Sequence, residues 1–393
     1  MQFYQDTRPW TLNGERVSVV ENNEHLGLIA SGLDEEQKNV DQNIQECRNS
    51  IFGLLGPAYA YKCMLSPTVQ VHLWRTYNLP VLLSGLSAFP IRPPNIKAIS
   101  IFHNKILRGF LKLSNSSPKP ALYFLLGELP VEGRIHIATL MLFHTIWANP
   151  DTTVHKMTDY ILMMSKENST TWSNHVRILC KKYGLPCPLL LLQSGPAWSR
   201  EKWKTLVTTK VTVYIEKELR EIAEYNSRMN FLNVKLLGLS GQAHPVLQGI
   251  NTTQDVRKLR THIKFLAGDF LTAERLAADQ PNLSPACKLC QAPLESADHV
   301  LVACHSTAEI RQRILPELLT VVLQVKPKST LLSNPKHPQL SQFILDCTSI
   351  NLDENLCISA HNPGVASINR ISRDWCFALS NERTRQLKQL KTC

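Results

Sequence analysis

No run of apolar residues in this chain approaches the roughly 20 needed to cross a bilayer; the longest, such as Pro188 to Leu192, cover a few positions only. A membrane-spanning helix is therefore not expected, and a membrane is not an expected partner. The stretch from Met1 to Gly14 carries charges and an Asn-Gly turn where a secretory leader would place its apolar segment. Several catalytic signatures are missing as well. There is no Gly-x-x-x-x-Gly-Lys phosphate loop, no His-Glu-x-x-His helix and no Gly-x-Ser-x-Gly elbow. A zinc deaminase needs His-x-Glu together with Pro-Cys-x-x-Cys. Here Pro285 stands one residue too far from Cys287, and His262 is followed by Ile263 and Lys264. Nothing in the chain points to a small-molecule substrate. Acidic residues are also short: 32 Asp and Glu face 43 Lys and Arg, for a net charge of +11. That excess favours a polyanionic partner.

Cysteine is present in an odd number, 11, in a chain without a leader-like start. Such cysteines read as reduced intracellular thiols rather than a disulfide framework, with no sequence signal separating nucleus from cytoplasm. Four polar side chains stand out among them and their neighbours: Cys287, Cys290, His299 and Cys304, spaced C-x2-C-x8-H-x4-C. Zinc prefers four tetrahedral sulfur and nitrogen ligands, and a two-residue gap lets two thiolates on one turn bind one ion. Four protein ligands fill the sphere, so the expected ion is structural, with no position open for a reacting water. Ser296 and Asp298 can start the short helix that presents His299. His305 is an alternative fourth ligand to Cys304. Cys180 and Cys187 lack a second pair and read as ordinary thiols, since free cysteine is commonly buried.

The pattern along the chain is mostly helical. Asn13-Gly14 between two β-prone arms predicts a hairpin, and residues 24–29 predict a third short strand. From Asp34 the period becomes that of a helix, with Asp34 and Gln37 as a capping box and Val40, Ile44, Cys47 and Ile51 on one face. Ser66-Pro67 starts a second helix carrying Val69, Leu73, Trp74 and Tyr77, which Pro80 ends or kinks. A third spans about 94–113. It sets Ile99, His103, Ile106 and Phe110 against a basic face of Lys97, Lys105, Arg108 and Lys112. Further helices are expected over 130–148, 154–165, 170–183 and 198–226, the last with Trp203, Leu206, Val213 and Leu219 among its apolar positions. Trp198 and Trp203 lie among Arg200, Lys202, Lys204 and Lys210, a mixture that suits stacking on bases but equally describes an amphipathic helix with buried tryptophans, the reading preferred here. Residues 233–253 hold several glycines and read as a loop or linker. A helix with Val256, Leu259 and Ile263 then carries a second basic group, Arg257, Lys258, Arg260 and Lys264, toward Cys287. Residues 325–365, rich in Pro, Ser and Asn, are expected to be in part poorly ordered, and a last helix is expected over about 368–390.

Four segments in this order resemble the C-terminal part of a non-LTR (LINE-type) retrotransposon reverse transcriptase. They are Leu12-Asn-Gly-Glu-Arg-Val17 leading to His25-Leu26-Gly27; Leu73-Trp-Arg-Thr-Tyr77-Asn-Leu-Pro80 through Gly85; Leu126-Gly-Glu-Leu-Pro130; and Glu295-Ser296-x-Asp298-His299-x-Leu301-x-x-Cys304. His25 departs from the tyrosine usual at its position in the first. The resemblance implies a mainly α fold: a palm-edge β remnant over 1–30, a three-helix thumb-like bundle over 31–115 and a helical connector over 116–280. A zinc knuckle over 281–320 and a linker with a C-terminal helix over 321–393 would follow. It also implies RNA and DNA as partners, held weakly through backbone phosphates by the two basic groups. The polymerase chemistry of such enzymes rests on an aromatic-x-Asp-Asp hairpin that holds two divalent metals. No Asp-Asp pair occurs in this chain, so the expectation is a catalytically incomplete piece of the parent enzyme. The alternative is a helical, zinc-stapled interaction module without nucleic-acid activity.

Overall fold

Asn13 and Gly14 adopt φ of 50° and 84°, the double left-handed turn whose twist matches that of antiparallel strands. They join β1 (Thr11–Leu12) to β2 (Glu15–Arg16), with Leu12 opposite Glu15. The computed structural model describes residues 11–16, 22–25, 27–31, 34–60, 65–166, 169–194, 197–234, 238–239, 241–325, 340–349 and 363–392. Val17 and Leu26, which belong to the first family-like segment, lie outside them. The strand expected over 24–29 is instead a second hairpin. β3 (Asn22–His25) pairs antiparallel with β4 (Leu28–Ser31), His25 facing Leu28, and Gly27 at φ 76° makes the reversal. The glycine between Leu26 and Leu28 was the signal for a turn.

The rest of the described chain is helical: α1 (Glu35–Ala60), α2 (Pro67–Leu73), α3 (Leu79–Leu82), α4 (Pro93–Leu111), α5 (Lys119–Leu126), α6 (Val131–Trp147), α7 (Thr153–Met164), α8 (Trp172–Tyr183), α9 (Pro188–Gln193), α10 (Arg200–Glu224), α11 (Thr253–Leu266), α12 (Ala273–Asp279), α13 (Ala308–Val325), α14 (Leu340–Leu345) and α15 (Pro363–Thr392). No helix among the described residues is long and apolar enough to cross a membrane.

Local signals account for many of these boundaries. Ser66 accepts the Val69 amide ahead of Pro67, and Thr252 and Asp255 form a reciprocal capping box on α11. Asp34 does not cap α1 as expected. It takes a left-handed φ of 54°, whereas an N-cap needs extended backbone. Pro80 lacks an amide, and the chain accommodates it with a wide π turn over Trp74–Asn78 between α2 and α3. Gln70, Val71, Trp74 and Asn78 are buried, while Val69 and Tyr77, both expected inside, are exposed. In α10 the buried stripe is Trp203, Val207, Val211, Ile215, Leu219 and Ala223, a strict four-residue spacing; Val213 faces solvent. Trp203 is buried and its indole N–H donates to the Leu140 carbonyl at 2.9 Å, while Lys202 covers the Trp198 ring at 4.5 Å.

α1 to α10 share one apolar core that includes Trp74, Phe110, Phe124, Phe143 and Trp203. Two family-like segments meet inside it. The Arg75 guanidinium donates to the carbonyls of Leu126 and Gly127 at 3.0 and 3.2 Å and to that of Gly241 at 2.8 Å. It also pairs with the Glu128 carboxylate, which Arg134 reaches at 2.8 Å. Gly127 sits at φ 61°, and a Cβ there would lie 2.0 Å from the Gln242 carbonyl oxygen. The Leu-Gly-Glu sequence is thus explained by a left-handed helix end, a close backbone approach and a buried ion cluster. The β4 strand joins the same body: the Asn39 amide bonds both the N–H and the C=O of Ile29 at 2.9 Å.

α11, α13, α14 and α15 pack on one another, and their buried residues belong to the same apolar cluster as those of α1 to α10. The 233–253 stretch is less a linker than a joint. Its His244 N–H donates to Leu125 O at 2.8 Å, and Val246 and Leu247 are buried. Arg373 of α15 donates to the Gln248 and Gly249 carbonyls at 3.1 and 3.3 Å. Most of the stretch expected to be poorly ordered, 326–339 and 350–362, lies outside the described residues. Between these, α14 buries Phe343, Ile344 and Leu345, and the Asp346 carboxylate accepts the Asn233 N–H. α13 was not anticipated. It carries Pro316 in its interior, a residue that argues against a helix on propensity alone.

Candidate metal centre

Residues 284–296 fold into a tight reversal. Cys287 donates its N–H to Ala292 O at 2.9 Å, Gln291 to Cys287 O at 2.9 Å, and Glu295 to Pro285 O at 2.8 Å. Gln291 closes the turn at φ 61°. These bonds place the Cys287 and Cys290 thiols on one side. The chain then enters a short helical segment, where Ser296 Oγ accepts the His299 N–H at 3.1 Å, as the capping expectation required. Residues 299–303 make a wide π turn, closed by Cys304 N–H to His299 O at 2.7 Å. At the 100° per residue of an α-helix, side chains five apart would diverge by about 140°. The wider turn and the extended backbone at Cys304 bring that thiol back beside the imidazole.

All four expected ligands converge. Their donor atoms lie within 4.8 Å of one another, and among the described residues they form the one such His/Cys/Asp/Glu group. Cys290 Sγ is 3.3 Å from His299 Nε2, and Cys287 Sγ is 4.0 Å from Cys304 Sγ. Cys287 and Cys304 are buried, whereas Cys290 and His299 are half-buried. The cluster takes Cys304; His305 is exposed and outside it. Cys180 is buried and Cys187 exposed, with no further ligand gathered about them. Three thiols and an imidazole in this arrangement could hold a metal ion.

The electrostatics differ from one ligand to the next. Burial pushes the Cys287 thiol up to about 12. Burial also raises Cys290, but the Ala292 amide and the thiols of Cys287 and Cys304 more than offset it, so that thiol sits below its ordinary value. Burial holds His299 below the usual imidazole range, which favours the neutral form that binds metal. Cys47 and Cys347, outside the cluster, are likewise pushed up to about 12 by burial alone or chiefly by burial.

Three further residues complete the site, and two of them carry no direct sign in the sequence. Glu295 lies in the reversal itself, with its carboxylate 3.7 Å from Cys287 Sγ. Arg383 of α15 grips it with two bonds, Nε to Oε1 at 2.9 Å and Nη2 to Oε2 at 2.7 Å. The Ala273 N–H, at the start of α12, donates to Glu295 Oε2 at 2.7 Å. Arg311 of α13 donates to the Cys304 carbonyl at 2.5 Å and to Thr307 Oγ1 at 2.8 Å. Trp375 Nε1 donates to Leu301 O at 3.1 Å. The ligand loop is therefore clamped by α12, α13 and α15. Glu295 was legible as part of a family-like segment; Arg311 and Arg383 are distant in sequence and follow no local pattern.

The basic residues expected to meet nucleic acid divide in two. Lys97 and Lys105 are exposed on α4, with Ile101 exposed between them. Arg108 is half-buried and donates to the Ser117 carbonyl at 3.0 Å. Lys112 ends α4 in a left-handed cap, half-buried, its ammonium held below the usual range by burial and by the neighbouring Arg260. On α11, Arg257 and Lys264 are exposed, Arg260 is half-buried and Lys258 pairs with Asp374 of α15 at 2.6 Å. The four-cation face of α4 is thus two surface lysines plus two cations turned into a joint, because the chain after α4 folds back over the helix end.

Comparison with known proteins finds no matching family model, no matching curated protein and no matching solved structure.

Proposed function

We propose that this chain is a non-catalytic nucleic-acid-binding assembly related to the thumb, connector and zinc-binding region of LINE-type reverse transcriptases, and that its Cys3His cluster holds one structural zinc. Zinc–sulfur and zinc–nitrogen bonds of about 2.3 and 2.0–2.1 Å in a tetrahedron separate sulfur from sulfur by about 3.8 Å and sulfur from nitrogen by about 3.6 Å. The 4.0 and 3.3 Å spacings of the cluster bracket those values. Four protein donors leave no position for water, so the ion would supply folding energy rather than chemistry.

The observation that carries nucleic-acid binding is the meeting of two basic groups separated by some 150 residues of sequence. Lys112 at the end of α4 and exposed Lys264 of α11 line one cleft, with Arg257 exposed further along α11. Cations gathered on a surface attract phosphates by charge alone, with strong salt dependence and little sequence preference. The absence of any Asp-Asp pair underlies the non-catalytic reading. A second reading, a protein-interaction module, is favoured by one feature. α7 exposes Val154, Met157, Tyr160 and Met164 along a single side, an apolar stripe of the kind that marks contact surfaces.

One experiment separates the two. Zinc-replete protein is titrated with RNA and duplex DNA over a range of salt. Replacing Lys97, Lys105, Arg257 and Lys264 by glutamine should weaken binding evenly across sequences. It should also flatten the slope of log K against log salt by up to about 0.7–0.9 per lost contact, with stability changed by less than about 0.5 kcal/mol per site. Absence of binding by the unaltered chain at low salt would sink the nucleic-acid reading and leave the interaction module.

A further inference from the structure

Among the described residues the thiols of Cys47, Cys180, Cys287, Cys304, Cys347 and Cys376 are buried, Cys187 is exposed and Cys290 is half-buried. A dissolved oxidant therefore meets Cys187 and Cys290 first, while burial shields the others. The two differ in what stands behind them. Cys187 has no cluster of ligating groups about it. Cys290 is an open corner of the Cys3His cluster, set in the chain between exposed Lys288 and Gln291. The Cys287 and Cys304 sulfurs both lie within 4.8 Å of its own.

A reachable thiol with a second thiol at its back is the arrangement of a redox pair. Cys287 is the better placed of the two neighbours. It shares with Cys290 the reversal closed by Cys287 N–H to Ala292 O and Gln291 N–H to Cys287 O. Cys304 stands beyond the π turn, with its carbonyl held by Arg311.

We infer that Cys290 is an oxidation site for peroxides, and that it closes a disulfide with Cys287 which opens the metal centre. The inference rests on the zinc reading for the ion that is released, but not for the bridge. The Cys290 thiolate attacks one peroxide oxygen; the O–O bond breaks, a sulfenic acid forms and hydroxide leaves. The Cys287 thiolate then attacks the Cys290 sulfur; the S–S bond forms, the S–O bond breaks and a second hydroxide leaves. The two sulfurs together give up two electrons, the peroxide gains two, and solvent protons neutralise both hydroxides. Zinc is held by thiolates, so the bridge removes two of its four ligands and the ion departs. The change is passed on, because Glu295 in the same reversal is gripped by Arg383 and the Leu301 carbonyl by Trp375. Both arginine and tryptophan belong to α15, which packs on α11 and α13.

The test exposes the full, zinc-loaded chain to hydrogen peroxide. Zinc release is followed with a chromogenic chelator, bridges are mapped by mass spectrometry of unreduced peptides, and amide exchange is read along α15. The expected result is one zinc released per Cys287–Cys290 bridge, with faster exchange over the Trp375–Arg383 stretch. Cys290→His keeps four donors but removes the reachable thiol, and should release zinc at least about tenfold more slowly. Cys304→His, which keeps both members of the pair, should form the bridge as the unaltered chain does, and so should Cys187→Ser. A first bridge that omits Cys290 or Cys287, or unchanged zinc release from zinc-loaded Cys290→His, overturns the inference. If the untreated chain holds no zinc yet the bridge forms, the zinc reading fails and the redox pair stands. If peroxide leaves the zinc in place and no bridge forms, the zinc reading stands and the redox inference fails.

Discussion

The assembly of α1 to α10 and the unit built from α11 to α15 reach stability by different routes. The first buries large apolar side chains in one continuous core, among them Trp74, Phe124, Phe143 and Trp203, each worth about 3–5 kcal/mol against alanine. Among the described residues, its buried carboxylate junction is Glu128 with Arg75 and Arg134. The second unit adds Phe265, Phe343 and Trp375 to the same core and carries more polar fastenings besides: Glu295 with Arg383, Asp346 with His244, Arg373 with the 246–249 carbonyls, and the Cys3His cluster. Apolar burial is non-directional and survives local loss, whereas a buried polar network is costly once one member is removed. The two regions should therefore fail differently.

Metal removal should divide them most sharply. Chelation, or Cys287→Ser with Cys290→Ser, should release residues 284–304 and loosen α15, which is fastened to that loop by Trp375 and Arg383. Structural zinc contributes about 10–16 kcal/mol of apparent binding energy in small peptides, an upper bound for the local loss here. Amide exchange should quicken throughout the loop and along the Trp375–Arg383 stretch while remaining slow in α5, α6 and α10. Uniform loosening of both regions would show that they fold as one cooperative unit.

Next in size is the removal of each buried carboxylate. Glu295→Ala leaves the Arg383 guanidinium, 14% exposed, without its partner, a change that costs about 3–5 kcal/mol for buried pairs. It should also lower metal affinity about 10–100-fold, as loss of an outer partner does. Glu128→Ala should cost less, because Arg75 and Arg134 are each roughly a third exposed and water replaces part of what is lost. It should leave metal content unchanged. Denaturant titration with elemental analysis of both variants checks this; a metal loss in Glu128→Ala would erase the distinction.

The smallest effect probes the apolar region by pH. His103 is stacked on Trp74 at 5.5 Å, and neither ring nitrogen has a hydrogen-bond partner among the described residues. Burial, helped by Arg134, lowers it from 6.5 to about 3. The folded state thus disfavours the charged form. The stability this neutral ring permits is intact above pH 6.5 and is lost as pH falls from 6.5 toward 3. At about 1.4 kcal/mol per pH unit, the drop between pH 6.5 and 5 is about 2 kcal/mol. His103→Phe should remove that share of acid sensitivity and gain about 1 kcal/mol at neutral pH by eliminating unsatisfied buried nitrogens. A steeper acid loss in the variant, read from chemical denaturation at several pH values, would refute the assignment. His136, also held near 3 by burial, and His262, lowered to about 4, keep a residual dependence in both regions.

What the sequence determined by itself was local. The Asn13-Gly14 reversal, the Ser66-Pro67 start, the Thr252 cap and the helical periods of α1, α6 and α11 follow from residues within a turn or two of each other. The Cys3His cluster is local in the same sense, since its four side chains span eighteen positions and their donor types and gaps suit a metal ion. Tertiary structure decided the rest, because it depends on which distant surface each face meets. Val69 and Tyr77 ended outside while Trp74 and Asn78 went in, and Arg108 and Lys112 turned into a joint once the chain folded back over α4. The helix α13 formed despite Pro316, because burial of Leu318 and Val322 against α15 outweighs propensity. Arg383 reached Glu295 across 88 positions, and the α4 and α11 cations came to share one cleft. Capping, turn chemistry and ligand spacing act over a few bonds and are written in consecutive residues. Burial and charge pairing act through space, and only the folded chain fixes those distances.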